Sequence, residues 1–211
     1  MTGGRPPTES AISCLMPATD STLVVFDAMG VLYQSADDVG DLLVPYLREK
    51  GCRLGQPRIE DLYRQCSLGR MSAAAFWDAC DVAGDDAEYC GRHALSDGIV
   101  DLLDRLAERG VPMAVLSNDV SEWSRKLRRR FSLETWIDSW VISGDVGVRK
   151  PDPAIFRLLL ERTSVAPDAV IFFDDREANV EAARRVGMRA HVFHDAGAAR
   201  LTLTEDIGGY C

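Results

Sequence analysis

The sequence is poor in everything that would mark a membrane, metal-finger or nucleic-acid protein. No apolar run approaches the roughly 20 residues that cross a bilayer, and the N-terminus has no charged-then-apolar signal pattern. Histidine occurs only three times. The six cysteines (Cys14, Cys52, Cys66, Cys80, Cys90 and Cys211) form no CxxC pair and no Cys/His zinc spacing. They read as free thiols of a reducing compartment, not as a disulfide scaffold. Cationic excess is missing too: 24 Lys and Arg stand against 33 Asp and Glu, a net charge of −9. General nucleic-acid binding needs a basic face to release counterions, and the balance counts against it. What is present is ordinary for a globular, cytoplasmic domain, with 46% hydrophobic and 27% charged residues over 211 positions.

Residues 1–20, with Gly3, Gly4, Pro6, Pro7 and Pro17 among small polar residues, read as a flexible leader. Five short apolar runs follow: Leu23–Phe26, Met113–Leu116, Trp140–Ser143, Val170–Phe173 and Arg189–Phe193. Each is too short for a helix and too apolar for a loop, as buried parallel strands are. Helical patterns separate them, at Ile99–Glu108, Ser121–Arg130, Ala154–Glu161 and Val180–Val186. Alternation of this kind predicts a doubly wound, Rossmann-like α/β sheet, with ligands held at the carboxyl ends of its strands. One connection breaks the pattern. About 85 residues separate the first two strands, far more than a βα connection needs. Apolar spacing and caps place helices at Asp37–Lys50, Ile59–Ser67 and Ser72–Cys80. Residues 36–95 are therefore expected to form an inserted helical cap, with 21–35 and 96–211 as the α/β core.

Four polar clusters follow four strands and should meet at one sheet edge. Asp27 follows Val24-Val25-Phe26 and precedes Ala28-Met29-Gly30. Ser117, Asn118 and Asp119 follow Val115-Leu116. Lys150 precedes Pro151-Asp152-Pro153, where Asp152 can cap a helix opened by Pro153. Asp174 and Asp175 follow Ile171-Phe172-Phe173. Each cluster alone could be turn chemistry. Together, three carboxylates converging at one edge repel unless a cation joins them, which points to Mg²⁺ with oxygen ligands. A hydroxyl, an amide and a lysine beside it would hold an anion.

These four motifs in order, the helical stretch after the first and the run Asn179-Val180-Glu181-Ala182-Ala183-Arg184 resemble the haloacid dehalogenase superfamily from Thr22 to about Phe193. The resemblance implies a five-stranded parallel sheet of order 5-4-1-2-3 with a small cap. It implies Asp27 as nucleophile and magnesium ligand, with the Met29 backbone carbonyl and Asp175 as further ligands and Asp174 assisting directly or through water. Ser117 and Asn118 would hold a phosphoryl oxygen of a small phosphorylated molecule. Lys150 would neutralise charge on Asp27 and on the phosphate. The implied chemistry is covalent, through an aspartyl-phosphate that water hydrolyses.

The sequence departs from the family's phosphatases at Met29, where they carry a second Asp that protonates the leaving group and activates water. A thioether does neither, and such a group is worth about 10²–10⁴ in rate. Three readings follow. The first is a phosphohydrolase or phosphoryl transferase with atypical acid/base chemistry, using a good leaving group or a substitute such as Asp119, Asp145 or a cap residue. The second is a catalytically reduced module that binds a phosphorylated ligand or partner. The third is a 2-haloacid dehalogenase, against which the Asp174-Asp175 pair counts. Among cap residues, Tyr33, Gln34, Arg64, Arg70, Trp77 and Arg92 are polar or aromatic enough to face a substrate. Trp77 reads rather as cap core, and Trp123, Trp136 and Trp140 as packing against the sheet.

Overall fold

Residues that are apolar without alternation cannot face water on either side, and the runs Leu23–Phe26, Met113–Ser117 and Val170–Asp174 are buried throughout, while the edge runs Ser139–Ile142 and Arg189–Val192 are partly exposed. In the computed structural model, which describes residues 22–207, they form one parallel sheet. Its strands are β1 (Leu23–Phe26), β2 (Met113–Ser117), β3 (Ser139–Ile142), β4 (Val170–Asp174) and β5 (Arg189–Val192). The order β3-β2-β1-β4-β5 is the expected one read from the other edge. β1 is central, with Val25 opposite Ala114 on one side and Phe172 on the other. The leader expected at 1–20, Cys14 and Cys211 lie outside the described residues. Among the described residues no helix is long and apolar enough to cross a membrane.

Between β1 and α5 (Ile99–Glu108) the chain forms a helical insert of four helices: α1 (Val44–Glu49), α2 (Gln56–Cys66), α3 (Ala73–Ala79) and α4 (Asp86–Cys90). A single helix was expected over Asp37–Lys50. Instead a π-helical turn, Val39–Leu43, leads into α1. Pro45 is the physical reason, because it has no N–H to give the carbonyl four residues back. Ser72 caps α3 as its position predicts, accepting from the Ala75 N–H at 3.1 Å. The core continues through α6 (Ser121–Arg130), α7 (Ser143–Val146), α8 (Pro153–Thr163), α9 (Glu177–Arg185) and α10 (Ala196–Ile207). Asp152 caps α8 by accepting from Ala154 N–H at 2.9 Å, with Pro153 opening the helix.

The insert is joined to the core by aromatic packing and by one tight seam. Trp123 on α6 was expected to pack on the sheet. It lies among Tyr63, Phe76, Trp77 and Tyr89 of the insert, with centroids 4.7–6.2 Å apart. Asp86 fixes this cluster by accepting from both Trp77 and Trp123 indole N–H groups, at 2.8 and 2.9 Å. At the seam, Ser143 donates from its hydroxyl to the Ser67 carbonyl at 2.5 Å. Arg149 donates to the Ser67 hydroxyl. Gly69 meets Gly144 so closely that a Cβ there would strike the Gly144 carbonyl. Cys52, Cys66, Cys80 and Cys90 are buried free thiols.

Candidate active site

Parallel pairing aligns the carboxyl ends of β1, β2 and β4, so the residues that follow them share one cleft. Asp27 leaves β1 with its N–H donated to the Phe173 carbonyl at 2.8 Å. Its Oδ1 takes the Ala28 N–H at 2.6 Å, which fixes the carboxylate against the turn. Lys150, just ahead of α8, reaches back beneath it. The Lys150 ammonium lies 2.8 Å from Asp27 Oδ1 and 2.7 Å from Asp174 Oδ2, and donates to the Leu116 carbonyl at 2.6 Å. Its side chain has no solvent exposure. All three donors are satisfied in a dry site, so the ammonium is fixed in place.

Burial governs the charges. It pushes the Asp27 carboxyl up to about 7, with the Asp174 charge adding to the rise and Lys150 opposing it. Burial alone would lower Lys150, but Asp174 and Asp27 outweigh it and hold the ammonium above its ordinary range. Asp174 is likewise penalised by burial, yet Lys150 and two further donors keep it below the usual carboxylate range. Those donors are the Arg176 N–H at 2.9 Å and the Asn179 amide at 2.9 and 3.0 Å from the two oxygens. Asp174 therefore acts on Lys150, while Asp175 remains free: its Oδ1 is buried without a partner.

That orphaned oxygen bears on a metal. Asp27, Asp174 and Asp175 each offer an oxygen, and the three lie within 4.8 Å of one another. An all-oxygen carboxylate set suits a hard divalent cation. The turn also leaves no room for a side chain at residue 30. Gly30 sits at φ +74°, and a Cβ there would lie 2.8 Å from the Asp175 carboxylate. The residues present fit a divalent ion. Burial and the Asp174 charge raise Asp175, with Arg176 and Lys150 opposing them.

Above these groups opens a cavity of about 770 Å³ whose wall includes Asp27, Met29, Ser117, Asn118 and Lys150. Ser117, at the end of β2, turns a buried and unpartnered hydroxyl to this region. Asn118 is used differently from the expectation. Its amide donates to the Lys150 carbonyl at 2.9 Å and its oxygen accepts the Lys150 N–H at 2.8 Å. The Asn118 side chain thus braces the lysine loop. Asp145 pairs with Arg125 on the surface, and Asp119 is buried away from the cavity wall. Of the insert residues singled out, Arg64 and Arg70 line the cavity. Arg92 instead pairs with Glu49 and stacks on Tyr46, while Tyr33 and Trp77 are core.

Asn179 and Arg149 escaped notice as site residues. The first was visible in the run after Asp174-Asp175; the second stands beside Lys150. Nothing in sequence spacing showed that Asn179 would clamp Asp174 or that Arg149 would line the cavity.

A buried carboxylate paired with a buried lysine, beside an acid pair at the carboxyl edge of a parallel sheet, is the arrangement of an aspartate-centred hydrolase on an α/β fold. The haloacid dehalogenase-like hydrolase family matches residues 22–187, and the chain belongs to it. The chain is 27% identical over 210 residues to a phosphorylated carbohydrates phosphatase of Thermotoga maritima, covering 87% of this chain and 95% of that one. It is 28% identical over 200 residues to a phosphoglycolate phosphatase of Pseudomonas putida, covering 85% and 72%. Its fold matches that of a family member from Bacteroides thetaiotaomicron solved with magnesium and inorganic phosphate. That match has a TM-score of 0.67 at 20% identity, over 83% of this chain and 96% of that one. These relatives by sequence are phosphatases of small phosphorylated metabolites.

Proposed function

We propose that the chain is a divalent-cation-dependent phosphohydrolase of a small phosphorylated metabolite, with Asp27 as nucleophile. The observation that carries this reading is the convergence of Asp27, Lys150 and the unpartnered Ser117 hydroxyl on one cavity, with the Asp174 and Asp175 carboxylates clustered against Asp27. Asp27 attacks phosphorus, its Oδ–P bond forming as the ester P–O bond breaks. Water then attacks the aspartyl-phosphate, restoring the Asp27 carboxylate and releasing inorganic phosphate. Lys150 offsets charge on Asp27 and on the phosphoryl oxygens, and Ser117 donates to one of them. Asp27, Asp175 and the Met29 carbonyl would hold Mg²⁺, with Asp174 close by. When bound, the ion would supply Lewis-acid stabilisation of the phosphoryl group. Residues 36–95 are read as the cap that closes the cavity and contributes to specificity.

Met29, buried on the cavity wall with no proton to give, is the one observation that favours a second reading, a phosphate-ligand-binding module of reduced turnover. Mg²⁺-dependent phosphate release from p-nitrophenyl phosphate, measured beside Asp27→Asn, separates the two, since that leaving group barely needs protonation. Release that vanishes with chelator and in the variant supports the hydrolase. Equal rates for folded wild type and variant would overturn it in favour of the binder.

A further inference from the structure

The cavity lacks a proton carrier at Met29, and the helical insert offers one on the same cavity wall. Building on the Asp27 reading above, we propose that Asp38 is the general acid and base of this site. Asp38 lies immediately ahead of the Val39–Leu43 turn and forms part of the cavity wall with Asp27, Met29, Ser117 and Lys150. Three other carboxylates reach that wall without belonging to the metal cluster: Asp37, Glu60 and Asp152. All three are exposed, whereas Asp38 is 6% exposed. One of its oxygens accepts from the buried Tyr89 hydroxyl at 3.1 Å, which anchors the carboxyl to α4. It is therefore a fixed, desolvated acid bordering the same space as the nucleophile, contributed by the segment that follows the departed family acid.

The charged and titratable groups around Asp38 come from six places. They are Asp37 on its own turn, Tyr89 from α4, Tyr63 from α2, Asp119 after β2, Arg149 beside Lys150, and Arg176 ahead of α9. Burial pushes the Asp38 carboxyl up to about 6, with Asp37 adding to the rise and the Tyr89 hydrogen bond and Arg176 opposing it. A carboxyl poised there exists in both protonation states near neutrality, as a group that must give and then take a proton requires. Asp119 is also raised by burial, but it does not reach the cavity wall.

The steps balance. As the Asp27 Oδ–P bond forms and the ester P–O bond breaks, the Asp38 proton passes to the leaving oxygen. In the second half, Asp38 takes a proton from water while the water oxygen bonds to phosphorus and the Asp27 Oδ–P bond breaks. Phosphate departs and Asp38 is again protonated.

Asp38→Asn tests this, because the amide oxygen can still accept from Tyr89. Pre-steady-state and steady-state rates with Mg²⁺ are compared for p-nitrophenyl phosphate and for an alkyl phosphate whose leaving group needs a proton. The expected result for the aryl ester is a retained nitrophenolate burst followed by turnover slowed about 10²-fold or more. The alkyl ester should lose its burst as well, and the acid limb of the wild-type pH–rate profile should disappear. An unchanged variant, or equal loss of burst on both esters at a melting temperature no lower than wild type, overturns the Asp38 role. If instead wild type and Asp27→Asn release phosphate equally, the Asp27 reading fails first and this inference falls with it.

Discussion

Lys150 holds two carboxylates in a place water does not reach, so its removal is a direct test of how the site is stabilised. Lys150→Met keeps the length of the side chain and deletes the charge. The main-chain bonds to Asn118 are untouched, so the loop has no reason to move. Breaking a buried ion pair by removing one partner costs about 3–5 kcal/mol, because the other charge is left unpaired. Here two partners, at 2.8 and 2.7 Å, lose their counter-charge together, which puts the expected loss near the top of that range, about 4–5 kcal/mol. Stranded carboxylates recover part of this by binding protons. Their folded pKa values then exceed the unfolded ones, so the variant should gain stability as pH falls and lose it as pH rises. A bound divalent cation should do the same work as the ammonium, and Mg²⁺ should raise the urea midpoint of the variant more than that of wild type. Urea denaturation in chelated and Mg²⁺-containing buffer measures both effects. A loss in chelated buffer under about 1 kcal/mol, the worth of an exposed ion pair, would refute the reasoning.

Two further outcomes follow from buried groups elsewhere. Gly30→Ala forces a side chain into φ +74° and places a methyl 2.8 Å from the Asp175 carboxylate. The backbone strain alone costs roughly 1–2 kcal/mol, and Mg²⁺ protection against thermal unfolding should shrink. A variant protected by Mg²⁺ as well as wild type would show that Gly30 does not shape the site. His93, buried between the Tyr33 and Tyr89 rings, is pushed down to about 4 by burial, against 6.5 unfolded. Above pH 6.5 the ring is neutral in both states and its contribution is whole. Between about 6.5 and 4 only the unfolded chain takes up the proton, so stability falls with pH by ~3 kcal/mol. Urea titrations of wild type and His93→Leu from pH 7 to 4 should show the wild type losing that much relative to the variant; parallel curves would sink the assignment.

What could be read in advance was what local chemistry dictates. The strand cores at Leu23–Phe26 and Val170–Phe173 are apolar on both faces, and only a covered parallel sheet accommodates them. Asp27, Ser117, Lys150 and Asp174-Asp175 were visible because each ends or follows a strand or stands just ahead of a helix. The misses depend on contacts between distant segments. In α10 the buried Ala196, Ala199 and Leu203 form only a thin face, and Leu201 is exposed, so the apolar pattern in the sequence is too weak to announce the helix. α4 is a single short turn whose identity rests on the Asp85 cap, which accepts from Ala87 and Glu88 N–H groups. Asn118 looks like a ligand-binding amide until Lys150 is placed 32 residues on, and Asp38 looks like a surface acid until Tyr89 covers it.

The charge balance explains why these pieces belong together. Asp27, Asp174 and Asp175 carry three formal negative charges when ionised, and Lys150 returns one positive charge. A phosphate monoester approaching that site would meet a net charge of the wrong sign. Burial and the Asp174 charge push the Asp27 carboxyl above its ordinary range, with Lys150 opposing them. A divalent cation among the carboxylates would cancel the remaining negative charge and favour the ionised form of Asp27. Arg64, Arg70, Arg149 and Arg176 on the cavity wall then supply the attraction for the phosphate. On this argument, cation binding precedes productive phosphate binding. Mg²⁺ should therefore lower the Kd for inorganic phosphate in an Asp27→Asn variant, whose site keeps Lys150, Ser117 and Asp175 but cannot form the covalent bond.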